Sequence, residues 1–144
     1  MKLHLSVEIN APVTDVWAYL EPLERHTDWM ADAVEIRFHT DQHRGVGTVY
    51  DCVTKVGPLT TVDRMTCVEW DEGKAMGIRH QGLVTGTGRF SLTPIDDGTR
   101  TRFDWDEDLR FPWQFGGALG ERVAKPIFLR LWRGNLERLA AHFD

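Results

Sequence analysis

Two cysteines, Cys52 and Cys67, are too few for a disulfide framework. The pattern puts both on strands, where reduced thiols in a core are expected. Basic residues are in deficit: 17 Lys and Arg stand against 22 Asp and Glu, for a formal net charge of -5. No basic stripe breaks that balance, so nucleic-acid binding is not expected. An acidic surface offers little attraction to an anionic membrane. No stretch approaches the ~18 apolar residues of a membrane-spanning helix, so integral membrane association is not expected. The opening MKLHLSVEIN alternates polar and apolar residues and contains no apolar signal segment. A cytoplasmic location is the expectation. A phosphate-binding glycine loop is also missing, because Gly86 and Gly88 fall inside an expected strand. Neither a nucleophile elbow nor a Ser/His/Asp arrangement appears.

What is present is a chain of 144 residues, 42% hydrophobic and 27% charged, which is ordinary globular composition. One domain over 1–144 is expected, large enough to bury roughly two thirds of its unfolded surface. Leu3, Leu5, Val7 and Ile9 alternate with His4, Ser6 and Glu8, the period of a half-buried strand. Asn10-Ala11-Pro12 breaks that strand. Val13, Val16, Trp17 and Leu20 then make one apolar helical stripe, with Pro12 suited to the first helical position. A second helical turn is expected over 23–26, with Trp29 as an anchor behind it. From Ala33 the pattern is β: Val34, Ile36 and Phe38 alternate with charged residues. Further strands are predicted over 48–56, 59–70, 74–80, 84–93 and 99–109. Their separators, such as Gly57-Pro58, Glu72-Gly73 and Asp97-Gly98, are hairpin-turn residues.

The last hairpin can be put in register. A turn at Asp97-Gly98 sets Phe90 opposite Trp105, Leu92 opposite Phe103 and Gly88 opposite Glu107. Arg89 and Asp106 then face each other on the other side. One register sorts both strands into an aromatic face and a charged face, which fixes it strongly. For the preceding hairpin, a three-residue loop pairing His80 with Val84 puts Met76, Ile78 and His80 on the apolar face. The C-terminal stretch is helical from about Phe115. Phe128 and Trp132 lie on its apolar stripe with Leu119, Val123, Ile127, Leu131, Leu136 and Leu139. Its expected length is ~40 Å at ~1.5 Å per residue, with a kink at Pro126. The fold class is therefore α+β: a curved antiparallel sheet wrapped around a long C-terminal helix, with two short helices after the first strand. Two short helices cannot fill such an interior, so a cavity is expected.

The string Ile9-Asn10-Ala11-Pro12-Val13-Thr14-Asp15-Val16-Trp17, followed by Trp29, resembles the strand-to-helix junction of bacterial START-like proteins. These form the birch-pollen-allergen-like or SRPBCC superfamily. Gly45-x-Gly47-Thr48 resembles that superfamily's glycine turn before the third strand, and Gly86 to Thr99 resembles its final hairpin. The likeness covers essentially the whole chain and is nearest to the polyketide cyclase/dehydrase and lipid-transport family. It implies a helix-grip fold and a small hydrophobic ligand, a lipid, polyketide or aromatic molecule. Members include carriers and aromatase/cyclases. The alternative it implies here is a cyclase or dehydrase using an acid/base group in the cavity.

Glu107 is the first candidate catalytic group. The register sets it on the apolar face over Gly88, where desolvation would suit it to proton transfer. The other reading has it reaching water at the cavity mouth. His80 is the second candidate and the only histidine expected inside. In the register above it lies about four residues from the row of Glu107, too far for contact at ~3.3 Å per residue. Arg64 shares strand parity with Val62, Val68 and Trp70, so it is expected inward, where it would meet a ligand carboxylate or pair with Glu107, or else snorkels to the rim. Tyr50 shares parity with Cys52 and Val56 and offers a phenol to a ligand oxygen, or is a core tyrosine. Met76, Ile78, Phe90, Phe103, Trp105, Phe128 and Trp132 are the expected apolar lining. Trp113, beside Gly116-Gly117, reads as a lid or as a plug. His39 and His43 have metal-ligand spacing, but on a loop and with no third ligand, so no metal is expected. No cofactor is expected, and nothing in the pattern selects an oligomeric state.

Overall fold

Alternation in the opening segment produces strand β1, Lys2–Ile9, which buries Leu3, Leu5 and Ile9 and exposes Lys2, His4 and Glu8. The computed structural model describes residues 1–144. Helix α1, Val13–Leu20, buries the predicted stripe of Val16, Trp17 and Leu20, with Pro12 as its N-cap. A 3-10 turn over Leu23–Asp28 follows, and Trp29 behind it is fully buried. Six more strands come next: β2 Ala33–Phe38, β3 Val49–Val56, β4 Leu59–Asp71, β5 Ala75–Gln81, β6 Thr85–Ile95 and β7 Arg100–Arg110. Helix α2, Gly117–Ala141, closes the chain and runs through Pro126. The seven strands form one antiparallel sheet in the order β1-β7-β6-β5-β4-β3-β2. The helix-grip arrangement expected from the sequence is the one observed.

The β6–β7 register matches the expectation pair for pair, with Phe90 on Trp105, Leu92 on Phe103 and Gly88 on Glu107. Arg89 does face Asp106 across this ladder. Its guanidinium, however, binds Glu69 on β4 at 2.8 and 3.2 Å, and Asp106 instead takes His4 at 2.7 Å.

Three places depart from simple alternation. In β2 a bulge between Ala33 and Glu35 turns Ala33 inward and leaves Val34 half exposed. In β4 the ladder shifts between Cys67 and Glu69. An extra residue reverses parity on one side of a bulge, so Trp70 shares the inner face with Cys67 and Met65, not with Arg64. Arg64 therefore points outward, where its Nε donates to Asp51 at 3.0 Å and its guanidinium lies against His39. In the β5–β6 hairpin the pairs are Gln81 with Thr85, His80 with Gly86 and Ile78 with Gly88. Relative to the expected register this is a slip of two residues. Parity is unchanged, and Met76, Ile78 and His80 do face inward.

The C-terminal half of α2 is fastened and the N-terminal half is not. Trp132, Leu136 and Leu139 are buried, and Trp132 stacks on Trp105 with ring centroids 4.6 Å apart. Fully buried Asn135 donates to Asp32 at 2.8 Å and accepts from the Ala31 amide at 3.0 Å. Arg138 donates to Asn135 and, at 3.1 Å, to the Trp29 carbonyl. Nearer its start, Leu119, Val123 and Ile127 stand 56–70% exposed. No helix in the chain is long and apolar enough to cross a membrane.

Candidate functional site

Between the inner sheet face, the turn at Leu23–Asp28 and helix α2 lies a cavity of about 460 Å³. Hydrophobic residues make up 24 of the 33 that line it, so its main offering is desolvation of an apolar guest. The sheet contributes Tyr50, Met76, Ile78, Phe90 and Trp105, and α2 contributes Phe128 and Trp132. Leu59, Leu83 and Ile127 line the cavity and are also 45–56% exposed, so they mark its open side.

Three residues expected at the ligand site, Phe103, Trp113 and Arg64, lie elsewhere. Phe103 faces inward but is fully buried against Trp29 and Phe90, in the packed core beyond the cavity. Trp113 sits in a 3-10 turn before α2 and is 84% exposed. Neither it nor Arg64 touches the cavity.

The polar end of the cavity is built on a gap in β6. Gly86 and Gly88 carry no side chains, so groups on β5 and β7 meet across that strand. Glu107 lies over Gly88, and a Cβ there would collide with its carboxylate. The two-residue slip brings His80 within two positions of the Glu107 row. Its Nε2 lies 2.9 Å from Glu107 Oε2, so the expectation that these groups are too far apart is overturned. On the other side His80 Nδ1 lies 2.9 Å from Asp63 Oδ2. Trp105 Nε1 donates to the second Glu107 oxygen at 2.8 Å. His80 and Glu107 are 9% and 8% exposed, so the contact is nearly dry.

An imidazole flanked by carboxylates at both nitrogens can donate to both only when doubly protonated. Burial alone would lower its basicity. The hydrogen bonds to Asp63 and Glu107, with their charges, outweigh that and push His80 up to about 9. At neutral pH the trio is thus an imidazolium between two carboxylates. Such a pair of contacts can orient a group, donate a proton or accept one.

A second histidine was not expected inside. His26, in the turn after α1, is 5% exposed, lines the cavity and donates from Nε2 to the Leu20 carbonyl at 2.8 Å. Burial lowers it to about 4, against a smaller rise from that carbonyl. Asp63 and Asp32 were also missed. Asp32, just before β2, lines the cavity where the sheet edge meets α2, accepting from Trp132 Nε1 at 3.2 Å and from Asn135. The two loop histidines have separate contacts: His39 pairs with Asp51 at 2.8 Å, and His43 stacks on Phe38.

A family model described as polyketide cyclase / dehydrase and lipid transport matches residues 1–144. Solved structures share the fold at low identity. A conserved protein from Geobacillus kaustophilus aligns with TM-score 0.80 and 14% identity over 99% of this chain and 95% of its own. The Zhui aromatase/cyclase from Streptomyces sp. R1128 gives 0.78 and 15%, over 99% and 92%. A START superfamily protein from Mycobacterium smegmatis gives 0.66 and 17%, over 97% and 92%. Among curated proteins no sequence matches.

Proposed function

Because the chain belongs to the polyketide cyclase/dehydrase and lipid transport family, we propose that it binds one small hydrophobic molecule in the cavity between sheet and helix. The observation that carries this reading is the largely apolar space of about 460 Å³ with His80, Asp63 and Glu107 gathered on its wall. That volume lies within the ~300–1,000 Å³ usual for ligand sites. An apolar body would take up the space beside Met76, Ile78, Phe90 and Phe128. Its polar group would lie toward Tyr50, Asp63 and His80. Native mass spectrometry of the gently purified protein tests this: a retained lipid or aromatic compound supports it. Failure to retain or take up any such compound, even when soaked with an excess, contradicts it.

A second reading is favoured by one observation, the contact of His80 with Asp63 and Glu107 inside the cavity. In an enzyme of the cyclase/dehydrase type, a carboxylate would remove a proton from a carbon between two carbonyls. The enolate carbon would attack a ketone of the same chain, forming a carbon–carbon bond. The His80 imidazolium would protonate the resulting alkoxide and recover its proton from the carboxylic acid. Positioning and proton transfer together account for large rate gains, the latter ~10²–10⁴-fold. Turnover of a model poly-β-keto thioester that drops in Glu107→Gln and His80→Ala supports this. Turnover unchanged when both are combined excludes it.

A further inference from the structure

The hydrogen-bonding state of the cavity's polar atoms selects among guests. The imidazole and indole donors are already engaged. Both ring nitrogens of His80 face carboxylates, Trp105 Nε1 serves Glu107, and Trp132 Nε1 serves Asp32. Arg89 borders the cavity, but its guanidinium is turned outward onto Glu69. Acceptors remain. Asp63 uses Oδ2 for His80, and its Oδ1 has no protein partner. Three carboxylates, Asp32, Asp63 and Glu107, line the space against one imidazolium.

Tyr50 supplies an independent observation. It is 3% exposed and lines the cavity, and its hydroxyl has no hydrogen-bond partner within the chain. The hydroxyl opens into the cavity, where a guest can reach it. Burial above all, with Glu107 and Asp63 nearby, raises the phenol well above its ordinary value. It therefore stays protonated, able both to donate and to accept. Tyr50 pairs with Met65 and Asp63 with Cys52, so Tyr50 and Asp63 are diagonal neighbours on one inner face. Diagonal cross-strand neighbours lie ~7–8 Å apart, a span that one small head group fills.

We propose that the cavity selects hydrophobic molecules whose head group carries a proton to donate, a hydroxyl or an ammonium, held between Tyr50 and Asp63, and that it discriminates against carboxylates. The assignment rests on the binding role proposed above and names the class of guest. A hydroxyl gives its proton to Asp63 Oδ1 and accepts from Tyr50. An ammonium gains in addition from the excess of negative charge. A carboxylate meets that same excess and finds no charged donor free, only the hydroxyls of Tyr50 and Thr61.

Isothermal titration at pH 7 with four naphthalene probes tests this: 2-(2-naphthyl)ethanol, its methyl ether, 2-(2-naphthyl)ethylamine and 2-naphthylacetic acid. The alcohol and the amine are expected to bind about ten-fold or more tightly than the ether and the acid. Tyr50→Phe and Asp63→Asn should each narrow the gap between alcohol and ether. Near-ultraviolet circular dichroism identifies any variant that has lost its packing, and Tyr50→Phe keeps the core volume if Asp63→Asn fails to fold. An acid that binds as well as the alcohol, or an ether equal to it, overturns the selectivity while leaving cavity binding intact. If none of the four binds while native mass spectrometry shows another hydrophobic compound retained, the selectivity is overturned and the binding role stands; if nothing is retained either, both fail.

Discussion

His26 and His80 are the same residue type, both nearly buried and both on the wall of one cavity, yet they have opposite protonation. Desolvation penalises the charged ring at both sites. The partners decide the outcome. His26 meets a single backbone carbonyl, which satisfies one N–H of a neutral ring, and burial prevails. His80 meets two carboxylates, which need both protons, and they prevail over burial. His26 therefore sits neutral among the rings of Trp29 and Phe90, while His80 sits charged between Asp63 and Glu107.

The two histidines give stability opposite dependences on pH. A histidine raised to about 9 contributes stability that is complete below its unfolded value near 6.5 and is lost as pH climbs through 9. One lowered to about 4 works the other way, complete above about 6.5 and lost as pH falls toward 4. The two windows meet close to neutrality, where their summed contribution is greatest.

Removing the shared cation should break the comparison most severely. His80→Ala leaves Asp63 and Glu107 across a buried gap, and unfolding by denaturant at pH 7 should show a loss of about 3–5 kcal/mol. A smaller loss, about 1–3 kcal/mol, is expected for Gly88→Ala, whose Cβ forces the Glu107 carboxylate aside. With that partner displaced, the His80 titration should move down while that of His26 stays in place. Arg64→Ala is expected to have the least effect. It removes an exposed pair on the outer face, so stability should change by no more than about 1 kcal/mol, with both histidine titrations unaltered.

The inner face of β5, β6 and β7 was legible because alternation in two strands had to agree with one turn. Alternation is blind to other events. A slip of two residues preserves which face each side chain occupies, so Met76, Ile78 and His80 were correctly inward while the distance from His80 to Glu107 was not. The extra residue near Val68 reverses parity, and that one irregularity both turned Arg64 out and hid Asp63. A signal was present in the glycines. Gly82 leaves room for the Asp63 carboxylate and Gly88 for that of Glu107, so small residues on neighbouring strands marked where charged groups meet. His26 was hidden because a short 3-10 turn has no long periodic face to read. Trp113 reads as a lid or plug from its place beside Gly116-Gly117, but the 3-10 turn that carries it leaves it in solvent.

Carbon-detected NMR titration of the ring Cε1 signals of all six histidines, from pH 3.5 to 10, tests the opposed charge states most directly. One buried imidazole should titrate near 9 and vanish as a signal in His80→Ala, and another, assigned to His26, should stay neutral down to about 4. Two buried rings that both titrate near 6.5 would contradict an imidazolium bracketed by Asp63 and Glu107.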